Sequence, residues 1–356
     1  MGLKDKLLKN STIKRTAMLE DSRVFETRDF APTEVYALNI AYSGSLHGGL
    51  DTGLTLWAGP SRHFKSLYTL ISVKAWLDKF PEAICLFYDS EFGTPSAYFK
   101  SVGIDVSRVI HIPITNVEEL KFDVMKQLSA IEDNEQVIFA IDSIGNTASI
   151  KEVQDALDEK SVADMSRAKA LKGFTRMITP ILKTKNIPCL GVNHTYQEIG
   201  MFPKTIMGGG TGLMYSADQV FIIGRSQEKD GSELVGYTFT INVEKSRHVR
   251  EKSKIAITVK HEGGLDRYSG LLEIAQQTGH VIKPNQGWYS RVIKGETEAK
   301  KWRARDTSTK EFWNELIYDD PSFDEAIGKL FKVANAELFT KDPDEMDDAE
   351  LLEHLD

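Results

Sequence analysis

The stretch Gly59-Pro60-Ser61-Arg62-His63-Phe64-Lys65-Ser66 decides how this chain is expected to fold. The apolar run Leu54–Ala58 before it has the length of a buried strand, and the residues from Leu67 to Leu77 after it have the length and spacing of a helix. A polar loop that ends in Lys-Ser between a strand and a helix is the pattern of a phosphate-binding P-loop. The alternative is a polar turn between a core strand and a core helix. The pattern favours a site for a nucleoside triphosphate.

Each part of this loop has a task in phosphate binding. The backbone N–H groups of residues 59–66 would surround the phosphates, and the N-terminus of the following helix adds a favourable dipole. Lys65 would reach the outer phosphates as a point charge, and Ser66 would offer its hydroxyl to Mg²⁺. Phe64 stands where glycine is expected, and glycine tolerates backbone angles that a side chain resists. We expect ATP and Mg²⁺ as ligands despite this departure.

Two further acids follow apolar runs that have the character of buried parallel strands. Residues 83–88 lead into Asp89-Ser90-Glu91, and residues 137–141 lead into Asp142-Ser143. Ligands of an open parallel sheet bind beyond the carboxyl ends of the strands, so Glu91 and Asp142 would face the same crevice as Lys65. Glu91 would activate water, and Asp142 would hold magnesium through its water shell. A single acid at a strand end is usually a solvated terminus, but the loop followed by both acids predicts a nucleotide site.

Composition excludes some classes of protein. The chain has 356 residues, enough for one large domain with smaller appendages. No stretch has the length and apolar character to span a membrane, and residues 1–6 lack the apolar core of a signal peptide, so we expect a cytoplasmic protein without membrane partners. Cys85 and Cys189 lie within apolar runs and are expected to pack in the core of a protein from a reducing compartment.

The formal net charge of −8 is unevenly distributed along the chain. Residues 340–356 contain eight acids and one lysine, which is typical of a solvated tail, with partner docking or competition for a DNA site as alternatives. Basic residues form two groups that permit phosphate contacts, although either could be a solvated face: Lys245, Arg247, Arg250, Lys252 and Lys254, and then Lys294, Lys300, Lys301, Arg303 and Arg305 around Trp302.

The order of apolar runs predicts the fold class and four parts of the chain. Strand-like runs alternate with helix-like stretches, which indicates an α/β fold with a mostly parallel twisted sheet flanked by helices. Residues 1–30 form an N-terminal segment, 31–270 the core, 271–335 a small C-terminal domain and 336–356 an acidic tail. The expected strands are Leu54–Ala58, Ile84–Tyr88, Val109–Ile112, Val137–Ile141, Cys189–Val192 and Val220–Ile223, followed by a meander of Tyr237–Val243 and Lys254–Lys260.

Two long loops are expected at the same edge of the sheet as the P-loop. One covers residues 146–163, and the other covers residues 195–212 and contains Met207-Gly208-Gly209-Gly210-Thr211-Gly212. Loops of this length are uncommon in a compact domain unless they are functional or become ordered on binding. His194 precedes the second loop and would lie where it could sense the terminal phosphate, although a lone histidine at a strand end is more often structural.

Together these motifs resemble the RecA recombinase family. The resemblance rests on residues 59–66, Tyr88–Glu91, Ile141–Ser143, Asn193-His194 and Glu244–Arg247. The phrases CLFYDSEF at residues 85–92, GGGTGLMYSAD at 208–218 and VEKSR at 243–247 are similar to the branch of that family found in T-even bacteriophages. That branch also carries a phenylalanine in its P-loop, which accounts for Phe64. The resemblance covers the chain from its N-terminus to about Arg305.

The resemblance implies a fold and a set of roles. The fold would be a RecA-type P-loop ATPase core with an N-terminal oligomerisation helix and a small C-terminal domain. Glu91 would be the catalytic acid, Tyr98 would stack on adenine, and Asp142 and Ser143 would serve the magnesium ion and the phosphates. His194 takes the place of the glutamine that RecA uses as its γ-phosphate sensor. Lys245 and Arg247 would reach the ATP of a neighbouring subunit.

The implied function is homologous recombination in a helical filament. Loops 146–163 and 195–212 would hold single-stranded DNA at the filament axis, and the N-terminal helix would pack on the adjacent protomer. Homologous duplex DNA is then expected as the second nucleic-acid partner, with a recombination mediator and a single-strand binding protein as protein partners. The alternatives are a hexameric replicative helicase, a small-molecule P-loop kinase with a substrate lid, and a non-catalytic scaffold switched by ATP.

Overall fold

The computed structural model describes residues 2–22, 30–133, 135–159, 166–198 and 205–333. Its helices are, in chain order, α1 Leu3–Asn10, α2 Tyr36–Ser43, α3 Lys65–Lys79, α4 Ser96–Val102, α5 Val117–Ala130, α6 Ile150–Leu157, α7 Ser166–Lys185, α8 Thr211–Ser216, α9 Leu271–Gln277, α10 Lys310–Tyr318 and α11 Pro321–Phe331. Short 3₁₀ turns lie at Leu19–Asp21, Val106–Arg108 and Ala304–Ser308.

The strands of the described residues belong to one large sheet and two small ones. They are β1 Gly53–Ala58, β2 Ile84–Asp89, β3 Val109–Pro113, β4 Val137–Asp142, β5 Pro188–Asn193, β6 Thr195–Gln197, β7 Thr205–Met207, β8 Gln219–Asp230, β9 Glu233–Lys245, β10 Lys254–Lys260, β11 Gly264–Leu265, β12 Val281–Asn285, β13 Trp288–Ile293, β14 Glu296–Thr297 and β15 Trp302–Arg303.

The large sheet has the order β11-β10-β9-β8-β1-β5-β4-β2-β3. The strands from β8 to β3 pair in parallel, and β9, β10 and β11 extend the sheet as an antiparallel meander. Each apolar run that the sequence assigned to a strand forms one, and β10 has the predicted bounds. The other strand ends agree to within one residue, except that β8 extends seven residues beyond its predicted end and β9 is longer than predicted by four residues at its start and two at its end. The predicted α/β class with a mostly parallel sheet is therefore confirmed.

Both faces of the sheet are covered, which explains why its central strands are continuous apolar runs. On β1, the Trp57 side chain packs with Tyr68 of α3 and Phe221 of β8. Leu56 points to the other face, where it joins Leu120 of α5 and Phe174 of α7. Burial on both faces explains why these strands show apolar runs rather than the alternation of a half-exposed sheet.

The two cysteines are buried, as the sequence predicted. Cys85 and Cys189 are both free thiols within the core. Burial raises the pKa of each thiol to about 12, because the charged thiolate is disfavoured in an apolar environment. Neither cysteine is poised for nucleophilic chemistry.

The C-terminal residues share the apolar core of the sheet. Trp313 of α10 stacks with Tyr268 at 6.1 Å between ring centroids. The carboxylate of Asp324 on α11 accepts hydrogen bonds from Ser45 Oγ at 2.9 Å and from Leu46 N at 2.6 Å, just after α2. The proposed boundary near residue 270 stays a prediction, and the whole of the proposed acidic tail, residues 336–356, lies outside the described residues.

The expectation of two irregular loops was wrong in part. Helix α6 occupies the middle of the first one, because Ser149 and Glu152 form a capping box at its start. In the second, β6 and β7 form an antiparallel hairpin, and α8 follows the glycine-rich turn. Residues 160–165 and 199–204 lie outside the described part. Among the described helices, none combines the length and apolar character needed to cross a membrane.

The backbone of Phe64 has a left-handed conformation, with φ of 61°. This region suits glycine and costs about 1 kcal/mol for a residue with a side chain. The Phe64 ring is half-buried and stacks on Phe239 of β9 at 4.5 Å between centroids. It also meets the edge of Tyr68 at 6.2 Å. Ring packing against the sheet therefore offsets the backbone strain.

Replacing Phe64 tests this balance. Phe64→Gly should lower the free energy of unfolding by about 1–2 kcal/mol, because loss of ring packing costs about 2–3 kcal/mol and relief of strain returns about 1 kcal/mol. Phe64→Ala should be about 1 kcal/mol less stable than Phe64→Gly, because alanine keeps the strain and lacks the ring. Urea unfolding measures both, and a glycine variant more stable than the wild type would contradict the argument.

Candidate active site

Four neighbouring parallel strands end at the same height. Ala58 of β1 pairs with Asn193 of β5, and Asp89 of β2 pairs with Asp142 of β4. The P-loop, Glu91, Ser143 and His194 directly follow these strand ends. The structure therefore brings together the side chains that the sequence assigned to one crevice.

Lys65 is the first residue of α3, at the end of the P-loop. Its ammonium group donates a hydrogen bond to the carbonyl oxygen of Pro60 at 2.7 Å. Burial lowers the pKa of Lys65, while the charges of Glu91 and Asp142 act in the opposite direction. A largely buried cation at a helix N-terminus is a strong attractor for a phosphate group.

Ser66 and Asp142 form a pair next to Lys65. Ser66 Oγ donates to Asp142 Oδ2 at 2.6 Å, and the hydroxyl of Thr94 lies 3.4 Å from the same oxygen. Asp142 Oδ1 is buried and has no hydrogen-bond partner among the described residues. A serine hydroxyl beside a carboxylate with an unpaired oxygen is a donor set that suits Mg²⁺.

The raised pKa of Asp142 is consistent with a cation-binding site beside its carboxyl group. Burial raises this pKa, the hydrogen bond from Ser66 opposes the rise, and the charges of Glu91 and Asp89 add to it. A bound cation would remove the cost of a buried carboxylate and favour the ionised form. The residues present therefore fit the predicted metal.

Glu91 is held by two donors. Its Oε1 accepts a hydrogen bond from Ser143 Oγ at 2.6 Å and from His194 Nε2 at 2.7 Å. The bond from His194 is the main reason why the pKa of Glu91 is lowered; burial opposes this effect, and Ser143 and Lys65 strengthen it. Glu91 is therefore a carboxylate near neutral pH, as a base that orients water must be.

The backbone around Glu91 is fixed by side chains that the sequence reasoning did not single out. Asp89 Oδ1 accepts hydrogen bonds from the backbone N–H groups of Glu91 at 3.1 Å and Phe92 at 2.7 Å. Ser90 Oγ donates to the Ser143 carbonyl at 2.8 Å and accepts from Ser143 N at 3.0 Å. The peptide bond between Asp142 and Ser143 is cis. Short polar side chains at adjacent strand ends were the available signal for these roles.

Tyr98 lies in the first turn of α4, beyond the end of β2. Its side chain is 51% exposed, so its ring is accessible to a stacking partner. Aromatic rings bind nucleobases through their faces, and a partly exposed ring needs no rearrangement to do so. A role in adenine binding stays a prediction.

Lys245 and Arg247 lie where β9 ends beside the start of β8, whereas the P-loop follows the carboxyl end of β1. Lys245 pairs with Val220, which pairs with Leu56 of β1. Arg247 Nε lies 3.1 Å from Asp218 Oδ1, and the other Asp218 oxygen accepts the backbone N–H of Leu54 at 3.0 Å. Leu54 is near the amino end of β1, whereas the P-loop follows its carboxyl end. The structure does not bring these two cations to the P-loop of their own chain.

Both cations also have partners within the chain. The Lys245 ammonium group donates to the carbonyl oxygens of Tyr215 at 2.7 Å and Ala217 at 2.6 Å, at the end of α8. Burial lowers the pKa of Lys245, and the charge of Asp218 opposes this. The Arg247 side chain is 70% exposed despite its contact with Asp218. It is accessible to a second molecule.

Comparison with known families gives two matches. The family described as "RecA N-terminal domain" matches residues 18–266. The description "Bacteriophage T4, Recombination and repair protein, C-terminal domain" matches residues 268–327. The first match ends at residue 266, and the second begins at residue 268.

Curated relatives agree with these matches. The chain is 51% identical over 337 residues to the "Recombination and repair protein" of Enterobacteria phage T4, which covers 93% of this chain and 86% of the relative. It is 24% identical over 318 residues to "Protein RecA" of Bacteroides thetaiotaomicron, covering 87% of this chain and 89% of that protein. It is 22% identical over 257 residues to "Protein RecA" of Ruminococcus albus, covering 71% and 60%.

The hydrogen bond between His194 and Glu91 can be tested by titration. In His194→Ala, the pKa of Glu91 should rise towards its ordinary value, because the donor that most lowers it is removed. Carbon-13 NMR of the glutamate side-chain carboxyl groups measures the midpoint. His111→Ala is the matched control, because His111 contacts Asp89 rather than Glu91. An equal shift in both variants, or none in His194→Ala, would refute the assignment.

Proposed function

This chain belongs to the RecA family, as its motifs indicated, and we propose that it is a recombinase that polymerises on single-stranded DNA with ATP and Mg²⁺. The filament then pairs its strand with homologous duplex DNA and exchanges the strands. Base pairing supplies the sequence specificity. The protein acts as a DNA-dependent ATPase and supports recombination-dependent replication and repair. The observation that carries the proposal is the division of the proposed ATP site between the carboxyl end of β1 and the amino end of β8.

Hydrolysis uses side chains at the carboxyl edge of the sheet. Lys65 neutralises charge on the outer phosphates, and the N–H groups of the P-loop orient them. Glu91 aligns the attacking water with the phosphorus atom and accepts a proton from that water. His194 is within hydrogen-bond distance of Glu91 at 2.7 Å, so it can exchange this bond for one to the terminal phosphate. Such an exchange would free Glu91 for catalysis.

Magnesium would be held by Ser66 and Asp142. When bound, the ion supplies positive charge to the phosphate oxygens. The chain's own contribution is to orient the ligands: Asp142 uses Oδ2 to accept from Ser66, and its Oδ1 is left for the water shell of the ion. Ser143 stays on Glu91 at 2.6 Å and limits its rotation.

A complete site requires two copies of the chain. Lys65 follows the carboxyl end of β1, whereas Lys245 and Arg247 lie beside the amino end of β8. Head-to-tail stacking would therefore bring these two cations to the ATP of the neighbour. A head-to-tail contact generates a helical filament when its rotation does not close into a ring. The guanidinium of Arg247 contacts Asp218 but is 70% exposed, so it would be accessible to the ATP of a neighbour as a cation in trans.

Exposed apolar groups of the described residues support this stacking. Helix α1 has no buried residues, and its Leu3 and Leu7 are 72% and 60% exposed. Strand β3 is at the edge of the large sheet, where Ile110 is exposed, and Phe122 of α5 is exposed nearby along the chain. Exposed apolar groups and an unpaired edge favour association. The N-terminal segment of one copy would pack on this part of the next.

DNA would bind between the two loops and helix α7. Lys169, Lys172 and Arg176 of α7 are exposed and recur at the spacing of one helix face. The Lys172 side chain lies against Gly212, which follows the glycine-rich turn. Lysine and arginine beside a glycine-rich turn suit the phosphates of a single strand. A recombination mediator and a single-strand binding protein remain partners expected from the resemblance alone.

Two substitutions test the chemistry. Lys65→Ala should lower ATP turnover by a factor on the order of 10² to 10³, because it removes the charge that stabilises the transition state. Glu91→Gln should bind ATP normally and lower turnover on the order of 10²-fold or more, giving longer-lived filaments. Lys229→Ala, at an exposed position of β8 that takes part in none of the proposed contacts, is the control. Near-normal turnover in Lys65→Ala would refute the P-loop assignment.

Mixing experiments test the action in trans. Lys245→Ala and Arg247→Ala should each lower ATPase activity in a folded protein. Either variant mixed with Lys65→Ala should recover activity, because an intact P-loop then meets intact Lys245 and Arg247 from its neighbour. A mixture of Lys65→Ala with Glu91→Gln should not recover, because both residues belong to the same half of the site.

Electron microscopy separates the assemblies. We expect helical filaments with ATP and single-stranded DNA. A closed ring would favour the helicase interpretation, and a protein that does not assemble would favour the kinase interpretation. Mixed filaments that form without any recovery of activity would contradict the role of Lys245 and Arg247.

A further inference from the structure

Asp218 lies between the end of α8 and the start of β8, and it is only 4% exposed. Its two carboxylate oxygens accept hydrogen bonds from different parts of the chain. Oδ2 accepts the backbone N–H of Leu54 at 3.0 Å, and Oδ1 accepts from Nε of Arg247 at 3.1 Å. The backbone N–H of Asp218 also donates to the Leu54 carbonyl at 2.8 Å. The carboxylate therefore fixes one nitrogen of an exposed arginine to the start of β1.

A lysine from another element also holds this carboxylate. Lys183, near the end of α7, lies 3.6 Å from Asp218 Oδ1 and 3.4 Å from Asp51 Oδ2. Its ammonium group donates to the carbonyl oxygen of Thr52 at 2.6 Å. Gly53 leaves room for the arrangement, since a Cβ atom there would lie 2.2 Å from Asp218 Oδ2. Two elements, β1 and α7, thus fix the position of the Asp218 carboxylate.

Arg247 keeps its outer nitrogens for another molecule. Its side chain is 70% exposed, and within the part of the chain that the structure describes neither terminal nitrogen forms a hydrogen bond. A guanidinium has two edges whose paired N–H groups match the oxygens of a carboxylate or a phosphate. An arginine held through Nε alone therefore has its Nη1–Nη2 edge available.

The segment that leads into Asp218 holds the second cation. The Lys245 ammonium group donates to the carbonyl oxygens of Tyr215 and Ala217. Asp218 directly follows Ala217. Burial lowers the pKa of Lys245, and the charge of Asp218 opposes this change, so the carboxylate favours the charged form of the lysine. The end of α8 is a common support for both cations.

We propose that Asp218 is a positioning residue: its buried carboxylate holds Nε of Arg247 so that the outer edge of the guanidinium is aligned to bind phosphate oxygens of the ATP on a neighbouring copy of the chain. The inference deepens the proposed function and rests on it. A long side chain that is already held at Nε loses less rotamer freedom when it binds a phosphate, because part of that freedom is lost on folding.

Asp218→Asn removes the anchor and preserves the shape of the side chain. An amide has one oxygen where the carboxylate has two, and the buried N–H of Leu54 would retain it, so an NH₂ group would face Arg247 Nε. The heteronuclear NOE of the Arg247 Nε–H group, measured by NMR on unassembled protein without nucleotide, should fall to that of a mobile arginine. Arg247→Ala identifies the signal. An unchanged NOE in Asp218→Asn would overturn the inference.

Turnover in filaments gives a second readout. Asp218→Asn should lower kcat about tenfold and change the KM for ATP less than about twofold, because its P-loop is intact and the cation that acts in the transition state is misplaced. Mixed with Lys65→Ala, it should recover activity, since its P-loop then meets an intact Asp218 and Arg247 on the neighbour. Mixed with Arg247→Ala, it should not recover, because both changes affect the same half of the site.

Two results would contradict the positioning role. Failure of Asp218→Asn to recover with Lys65→Ala in mixed filaments would mean that the change damages the whole protein. A kcat at or above that of the wild type in Asp218→Asn would mean that the carboxylate does not align Arg247 or holds it back.

Asp306→Asn is the matched control. Asp306 also accepts a backbone N–H with one oxygen, that of Arg303 at 2.9 Å, and its other oxygen lies 3.6 Å from Nε of Arg305. It takes part in none of the proposed contacts with ATP. We expect this variant to keep the wild-type kcat and the wild-type NOE of Arg247.

Arg247→Lys leaves Asp218 and its bond to Leu54 in place. A lysine side chain ends near the position of the guanidinium carbon, so an ammonium group held by Asp218 lacks the outer pair of N–H groups, and kcat should fall about tenfold although the charge is kept. Wild-type kcat in Arg247→Lys would overturn the inference. Wild-type kcat in Arg247→Ala would instead refute the proposed action in trans, and the NMR measurement, which needs neither DNA nor hydrolysis, would still decide whether Asp218 holds Arg247.

Discussion

The register of the parallel strands is the constraint on which the site depends. Main-chain hydrogen bonds set Ala58 beside Asn193 and Asp89 beside Asp142, so the residues that follow these four positions must leave the sheet at one height. A slip by one residue in any of these strands would turn its buried side chains to the wrong face. The apolar layers on both sides of the sheet therefore protect the geometry of the site as well as the stability of the fold.

The surroundings of the two acids of the site shift their pKa values in opposite directions. Hydrogen bonds from His194 and Ser143 lower the pKa of Glu91, whereas burial raises the pKa of Asp142. A carboxylate with a lowered pKa suits a base, and a buried carboxylate with an unpaired oxygen suits a cation ligand. Environment, rather than residue type, thus distinguishes the acid proposed to act on water from the acid proposed to hold metal.

The P-loop illustrates how a departure from a common pattern is accommodated. Phe64 adopts the left-handed conformation that glycine would adopt, and its ring packs against Phe239. The loop is thereby joined to β9, the strand that ends at Lys245. The phosphate-binding loop and the cation proposed to act in trans are thus carried by one continuous sheet, with the loop after the carboxyl end of β1 and the cation beside the amino end of β8.

The sequence by itself determined the strands, the P-loop, the acids at the strand ends and the family, because apolar runs and turn residues are local signals that survive without the fold. It did not reveal helix α6, the β6–β7 hairpin or the support of Phe64 by Phe239. Nor did it reveal that the carboxylate of Asp218 joins Arg247 to the start of β1. These features depend on which distant segments become neighbours. Strand order and register decide that, and they also separate Lys245 and Arg247 from the P-loop of their own chain.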